Sequence, residues 1–135
     1  MKIFILGCGR VGARLTEELG GAHDITIMDW NEGAFERLPD SFNGTTIVGN
    51  GIDADALKSA GIRDADAFVA VTNGDNRNLV AAQIAKVMGV PQIIVRVYDP
   101  VRCHIYEQLG LTTISPTING AQALFDMVVG TDEET

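Results

Sequence analysis

The sequence predicts an α/β protein built on a doubly wound, parallel six-stranded sheet with helices on both faces. Three observations lead there. Short apolar runs alternate with longer helix-patterned stretches along the chain. Runs such as Ile3-Phe4-Ile5-Leu6 are continuously apolar, as in strands buried on both faces. No hairpin dipeptide joins two strands, so each strand needs a crossover to the next, and right-handed crossovers wind helices around a parallel sheet.

Taken in order, Ile3–Leu6 is the first strand, stopped by Gly7. Arg10 to Leu19 places Val11, Leu15 and Leu19 on one helical face, and Gly20-Gly21 ends it. Ile25–Met28 is the second strand, ending at Asp29, and a short helix from Glu32 to Leu38 stops at Pro39. Thr45–Val48 is the third strand, broken by Gly49-Asn50-Gly51. Asp53 caps a helix that runs to Ala60 and closes at Gly61. Ala67–Val71 is the fourth strand, and the helix from Asn76 to Met88 carries Val80, Ile84 and Val87 on one face. Gln92–Val97, rich in β-branched residues, is the fifth strand. Asp99 and Pro100 open a helix that ends at Gly110; Thr112–Ile114 is the last strand, and Pro116 starts a helix to about Val129.

With 135 residues the chain is expected to form one domain over 1–130, followed by an acidic tail at 131–135. Ten Lys and Arg stand against eighteen Asp and Glu, a net charge of −8, which argues against nucleic acid or an anionic membrane surface as partner. No apolar stretch is long enough to span a bilayer, and the apolar run before Gly7 is too short for a signal peptide, so a cytoplasmic location without membrane insertion is expected. Cys8 and Cys103 are far apart and outside any ligand spacing, so neither a disulfide nor a metal site is expected.

The informative motif is Gly7-Cys8-Gly9-Arg10-Val11-Gly12, a G-x-G-x-x-G loop between the first strand and the first helix. Gly7 permits the tight turn, Gly9 lets backbone approach a diphosphate, and Gly12 allows close helix–strand packing. The helix N-terminus beyond supplies N–H groups and a positive dipole end. Asp29 lies 22 residues beyond Gly7, where a carboxylate receives ribose hydroxyls and repels a 2′-phosphate, so NADP is disfavoured. Together these make the sheet Rossmann-like.

Three further places lie on the same carboxyl edge. Asn50, with Gly51, either offers an amide to an adenine edge or frames a turn. The cluster from Thr72 to Asn76, leading into Arg77 and Asn78, is either a ligand edge or a capped loop. Arg96, inside a strand expected to be buried, either pairs with an acid or points its guanidinium at phosphates, the second reading being favoured.

No catalytic constellation is visible. A Tyr-x-x-x-Lys arrangement and a G-x-S-x-G elbow are both absent, and neither His23 nor His104 has an evident partner. Six strands and six helices use the length, leaving no substrate domain. A binding module is expected rather than an enzyme, the alternative being an NAD-dependent oxidoreductase or a cofactor-binding fragment of one.

The sequence resembles the RCK or TrkA-N family, the nucleotide-binding regulators of Trk and Ktr potassium uptake systems. The resemblance rests on Ile5–Gly12, Asp29, Val48-Gly49-Asn50-Gly51, Ala70-Val71-Thr72 with Asn78-Leu79, Val95-Arg96-Val97 and the stretch from Gly110-Leu111 to Ser115-Pro116. It implies a subunit that binds NAD(H) or ATP/ADP, with AMP also in range, and gates a membrane potassium channel or transporter from the cytoplasmic side. It implies a homodimer, often within a larger ring. Carried over by position, Gly7, Gly9, Arg10, Val11 and Gly12 hold phosphates and Asp29 the ribose. Asn50, where many members have Asp, and Gly51 face the adenosine half, while Thr72, Asn78 and Arg96 occupy the ligand edge. Most such regulators carry a second, C-terminal domain, so the chain is either a stand-alone form or one cut before it. In the last helix, Ile118, Ala121, Leu124, Phe125, Val128 and Val129 form an apolar face for association or for packing on the sheet.

Overall fold

The computed structural model describes residues 1–130, and the acidic tail expected at 131–135 lies outside the described residues. The strands are β1 (Lys2–Leu6), β2 (Asp24–Asp29), β3 (Thr45–Val48), β4 (Ala67–Ala70), β5 (Gln92–Arg96) and β6 (Thr112–Ile114). The helices are α1 (Arg10–Leu19), α2 (Ala54–Ser59), α3 (Asp75–Val87), α4 (Pro100–Gln108) and α5 (Pro116–Val129). All strand pairs are parallel, in the order β3-β2-β1-β4-β5-β6. This is the doubly wound order, with β1 flanked by β2 and β4, so the winding reverses beside β1 and opens a crevice at the carboxyl ends.

Local chemistry sets the helix starts. The Asp53 carboxylate accepts from the N–H groups of Asp55 and Ala56 at the start of α2, and Asp99 accepts from Val101 at the start of α4. Ser115 accepts from Ile118 at α5, and Pro occupies the first position of both α4 and α5.

Alternation along β1 divides the core into two layers. Phe4 and Leu6 face one side with Phe68 and Val95, covered by Leu57 of α2, the alanines of α3 and Tyr106 of α4. Ile3 and Ile5 face the other with Ile25, Ile27 and Val69, covered by Ala13 of α1 and Ala34. Burying each large aliphatic side chain contributes roughly 1.5–3 kcal/mol, before conformational entropy offsets most of the sum.

The structure corrects the facing expected of two helices. On α1 the buried residues are Gly12, Ala13 and Thr16, while Val11 is 47% exposed and Leu15 and Leu19 are half-buried. On α3 they are Asn78, Ala81, Ala82 and Ala85, while Val80 and Val87 are exposed and Ile84 is half-buried. The reason is common to both: small residues let a helix axis approach a sheet closely, so they take the centre of the inner face, while Leu15, Leu19 and Ile84 pack at its edges. The short helix expected from Glu32 to Leu38 is present as a 3₁₀ helix, Glu32–Arg37, with Asn31 accepting from the Gly33 N–H at its start.

The last helix stands apart. α5 has no buried residue, so its apolar face does not pack on the sheet.

Candidate functional site

At the carboxyl ends of β1, β2 and β4 the sheet opens into a cleft of about 850 Å³. Its floor is the turn from β1 into α1. Gly7 adopts φ +109°, and a Cβ there would lie 2.9 Å from the Thr72 nitrogen. Gly12 is buried beneath the turn, where any side chain would collide with the Gly7 carbonyl. Gly9 differs, because a Cβ built on it meets nothing within 4 Å. It faces open space at the N-terminus of α1, where no side chain among the described residues caps the first-turn N–H groups. An uncapped helix N-terminus below a bare glycine is a cradle for an anion.

Asp29 closes the β2 side. Its Oδ2 accepts from the Cys8 N–H at 2.8 Å and its Oδ1 from the Asn31 N–H at 2.9 Å. These bonds fix the carboxylate against the glycine turn, and each oxygen keeps a lone pair for a ligand hydroxyl. Burial, and then the neighbouring Asp29 charge, push the Cys8 thiol above its ordinary pKa, with the Arg37 guanidinium opposing them. The thiol therefore stays neutral near pH 7 and adds no negative charge beside an anion's path.

The β4 side is built by Asn78 and Arg96. Asn78 is fully buried; its Oδ1 accepts from the Thr72 N–H and hydroxyl, and its Nδ2 donates to the carbonyls of Thr72 and Arg96. Arg96 is nine-tenths buried, with Nη2 donating to the Val71 and Thr72 carbonyls at 2.7 and 2.9 Å and the guanidinium 4.8 Å from the Tyr98 ring centroid. Its Nε finds no partner and no acid pairs with it among the described residues, which sets aside the ion-pair alternative. A buried guanidinium on a cleft wall with no acid beside it suits an anionic ligand.

Of the residues expected at a site, Gly7, Gly9, Arg10, Val11, Asp29, Asn50, Gly51, Thr72 and Arg96 line this one cleft. Gly12 and Asn78 do not; they lie beneath it and shape its walls. Asn50 is there, yet its Oδ1 accepts from the Ile52 N–H, so the turn uses that oxygen. Sequence reasoning missed Trp30, Arg37 and Tyr98 as lining residues and gave Arg77 no role of its own. Trp30 and Tyr98 lie one and two residues beyond strand ends, and that placement was the signal available.

The TrkA-N domain family matches residues 3–116, which take in β2 to β6 and all of β1 but Lys2. The chain belongs to the TrkA-N family. It is 44% identical over 117 residues to the Trk system potassium uptake protein TrkA of Streptomyces coelicolor, covering 85% of this chain and 52% of that protein. The chain thus spans about half the length of that relative. Among solved structures, the TrkA-N domain of the inner membrane protein ybaL from Escherichia coli superposes with a TM-score of 0.83 at 15% identity, covering 93% of this chain and 95% of that one. GsuK bound to ADP superposes with a TM-score of 0.75 at 21% identity, over 93% of this chain and 33% of that one, and the GsuK channel bound to NAD with 0.67 at 19%, over 84% and 21%. At these identities the structural matches establish the fold. The cleft of this TrkA-N chain lies at the switch beside β1, where sheets of this order bind nucleotides.

Proposed function

We propose that this TrkA-N chain is a nucleotide-binding regulatory part of a potassium uptake system, sensing NAD(H) or ATP/ADP without transforming it. The observation that carries the reading is the cleft: an uncapped helix N-terminus under a bare glycine, with a fixed carboxylate on one side and a buried guanidinium on the other. In this reading Gly7, Gly9, Arg10 and Val11 hold phosphates and Asp29 takes the ribose hydroxyls. Gly12 and Asn78 hold the frame, while Arg96 reaches the phosphates from the far wall. Asn50 and Gly51 border the adenosine half, and Thr72 borders the β4 wall. Membership of a family whose matched relative is a potassium uptake protein, and GsuK structures holding ADP or NAD, support the assignment.

Residues 1–130 act as one unit whose α5 face pairs with a second copy, making a homodimer that a larger ring can extend. The assembly works beneath a membrane potassium channel or transporter, at the cytoplasmic face. No described helix is long and apolar enough to cross a membrane, consistent with a peripheral role. Two nucleotide states regulate transport only if they favour two assembly shapes unequally.

Calorimetric titration tests the reading. NAD, NADH, ADP, ATP and AMP are titrated in turn, and at least one pair is expected to bind with unequal affinity, NADP binding more weakly than NAD. Asp29→Ala is expected to weaken binding about tenfold or more, as loss of charge-assisted hydrogen bonds does. No binding by any of these nucleotides would remove the proposal.

A further inference from the structure

Trp30 is the chain's single tryptophan, and it is 74% exposed although it lines the cleft directly after Asp29. The Arg77 guanidinium, arriving from the first turn of α3, stands 5.9 Å from the Trp30 ring centroid. β2 and β4 flank β1 on opposite sides, so this pair reaches across the mouth of the cleft from one lip to the other. Among the described residues the Arg77 guanidinium makes no hydrogen bond or ion pair, and the indole makes no hydrogen bond; their polar and ring contact is with each other. An exposed indole held only by a cation near the outer limit for such contacts, about 6 Å, is a loose pair.

On the nucleotide reading above, we propose that Trp30 and Arg77 form a clasp that opens to take the ligand's base between indole and guanidinium. The ribose site fixes the geometry. Asp29 immediately precedes Trp30, so a ribose seated on that carboxylate carries its base to within one residue of the indole. Stacked planar groups sit about 3.5 Å apart, so a guanidinium–base–indole sandwich needs about 7 Å. The present 5.9 Å must therefore widen by roughly an ångström, within reach of an unpaired arginine and an exposed indole. Both flanking groups attract a π-face, and neither reads a hydrogen-bond edge, so the clasp selects for a base without strongly choosing which. It also ties the two lips together across the ligand.

The single tryptophan makes the test direct. ADP is titrated into the full chain with heat and tryptophan emission followed in parallel, and ribose 5-phosphate serves as the base-free probe. ADP is expected to change Trp30 emission along the same isotherm as the heat, while ribose 5-phosphate leaves it at its free value. By calorimetry, Trp30→Ala should weaken ADP about tenfold or more, Trp30→Phe should restore most of that, and Arg77→Gln should weaken it severalfold. Circular dichroism checks that these exposed positions leave the fold unchanged. Saturating heat from ADP with unmoved emission and full affinity in Trp30→Ala would overturn the clasp and leave nucleotide binding standing. An equal emission change with ribose 5-phosphate would overturn it too, because closure rather than stacking would explain the signal. No heat from any adenine nucleotide would overturn the nucleotide reading and the clasp with it.

Discussion

A Cβ placed on Gly9 meets nothing within 4 Å, whereas one placed on Gly12 runs into the Gly7 carbonyl. Two glycines of one motif therefore answer to different demands, ligand approach at the first and backbone packing at the second. Gly9→Ala should keep the unfolding free energy within about 1 kcal/mol of the parent, the cost of a poorer N-cap. It should weaken ADP binding about tenfold or more, because the new methyl occupies the anion cradle. Gly12→Ala should instead destabilise the fold by about 2–3 kcal/mol, as overpacking against rigid backbone does. Urea denaturation and calorimetry on both variants separate these outcomes. Glycine spacing and Asp29 were legible in the sequence because both are local: a turn, a helix start and a strand end encode them. Trp30 and Arg77 were not, because their meeting depends on β2 and β4 flanking β1 and has no local signature.

Among the elements, α1 and α5 show where pattern reading holds and where it fails. Apolar runs placed the strands and caps placed the helices, since Asp53, Asp99 and Ser115 all bond first-turn N–H groups as their residue types suggest. Facing was harder. On α3, Val80 and Val87 point outward and Ile84 packs only at the edge of the core, because alanines allow the closer approach to β4 and β5. α5 carries Leu124 at 63% and Phe125 at 59% exposure and has no buried residue among the described residues, which leaves its apolar face exposed. In the proposed homodimer that face is covered by a second copy. Phe125→Glu and Leu124→Glu should shift sedimentation velocity profiles from dimer toward monomer. Each should change monomer stability by no more than about 0.5 kcal/mol, as exposed substitutions do. A dimer unaffected by both charges would place the interface elsewhere.

For the whole molecule, charge is distributed against its net value. The chain carries −8, yet the cleft is lined by Arg10, Arg37, Arg77 and Arg96 with Asp29 as its single carboxylate among the described residues. Low-dielectric walls focus that local positive potential, so on the proposed reading an acidic body takes its anionic ligand at one place. The sign of the global charge was legible from composition; the positive cleft was not, because its arginines come from α1, the 3₁₀ segment, α3 and β5 and converge only in the folded sheet. The same convergence makes the cleft the natural point from which a ligand could alter the spacing of the two lips. A crystal structure of the chain grown with ADP tests this most directly. The account predicts the diphosphate over Gly7–Gly12 at the N-terminus of α1, the ribose hydroxyls on Asp29 and the base beside Trp30. ADP bound outside the cleft, or phosphates directed away from the α1 N-terminus, would contradict it.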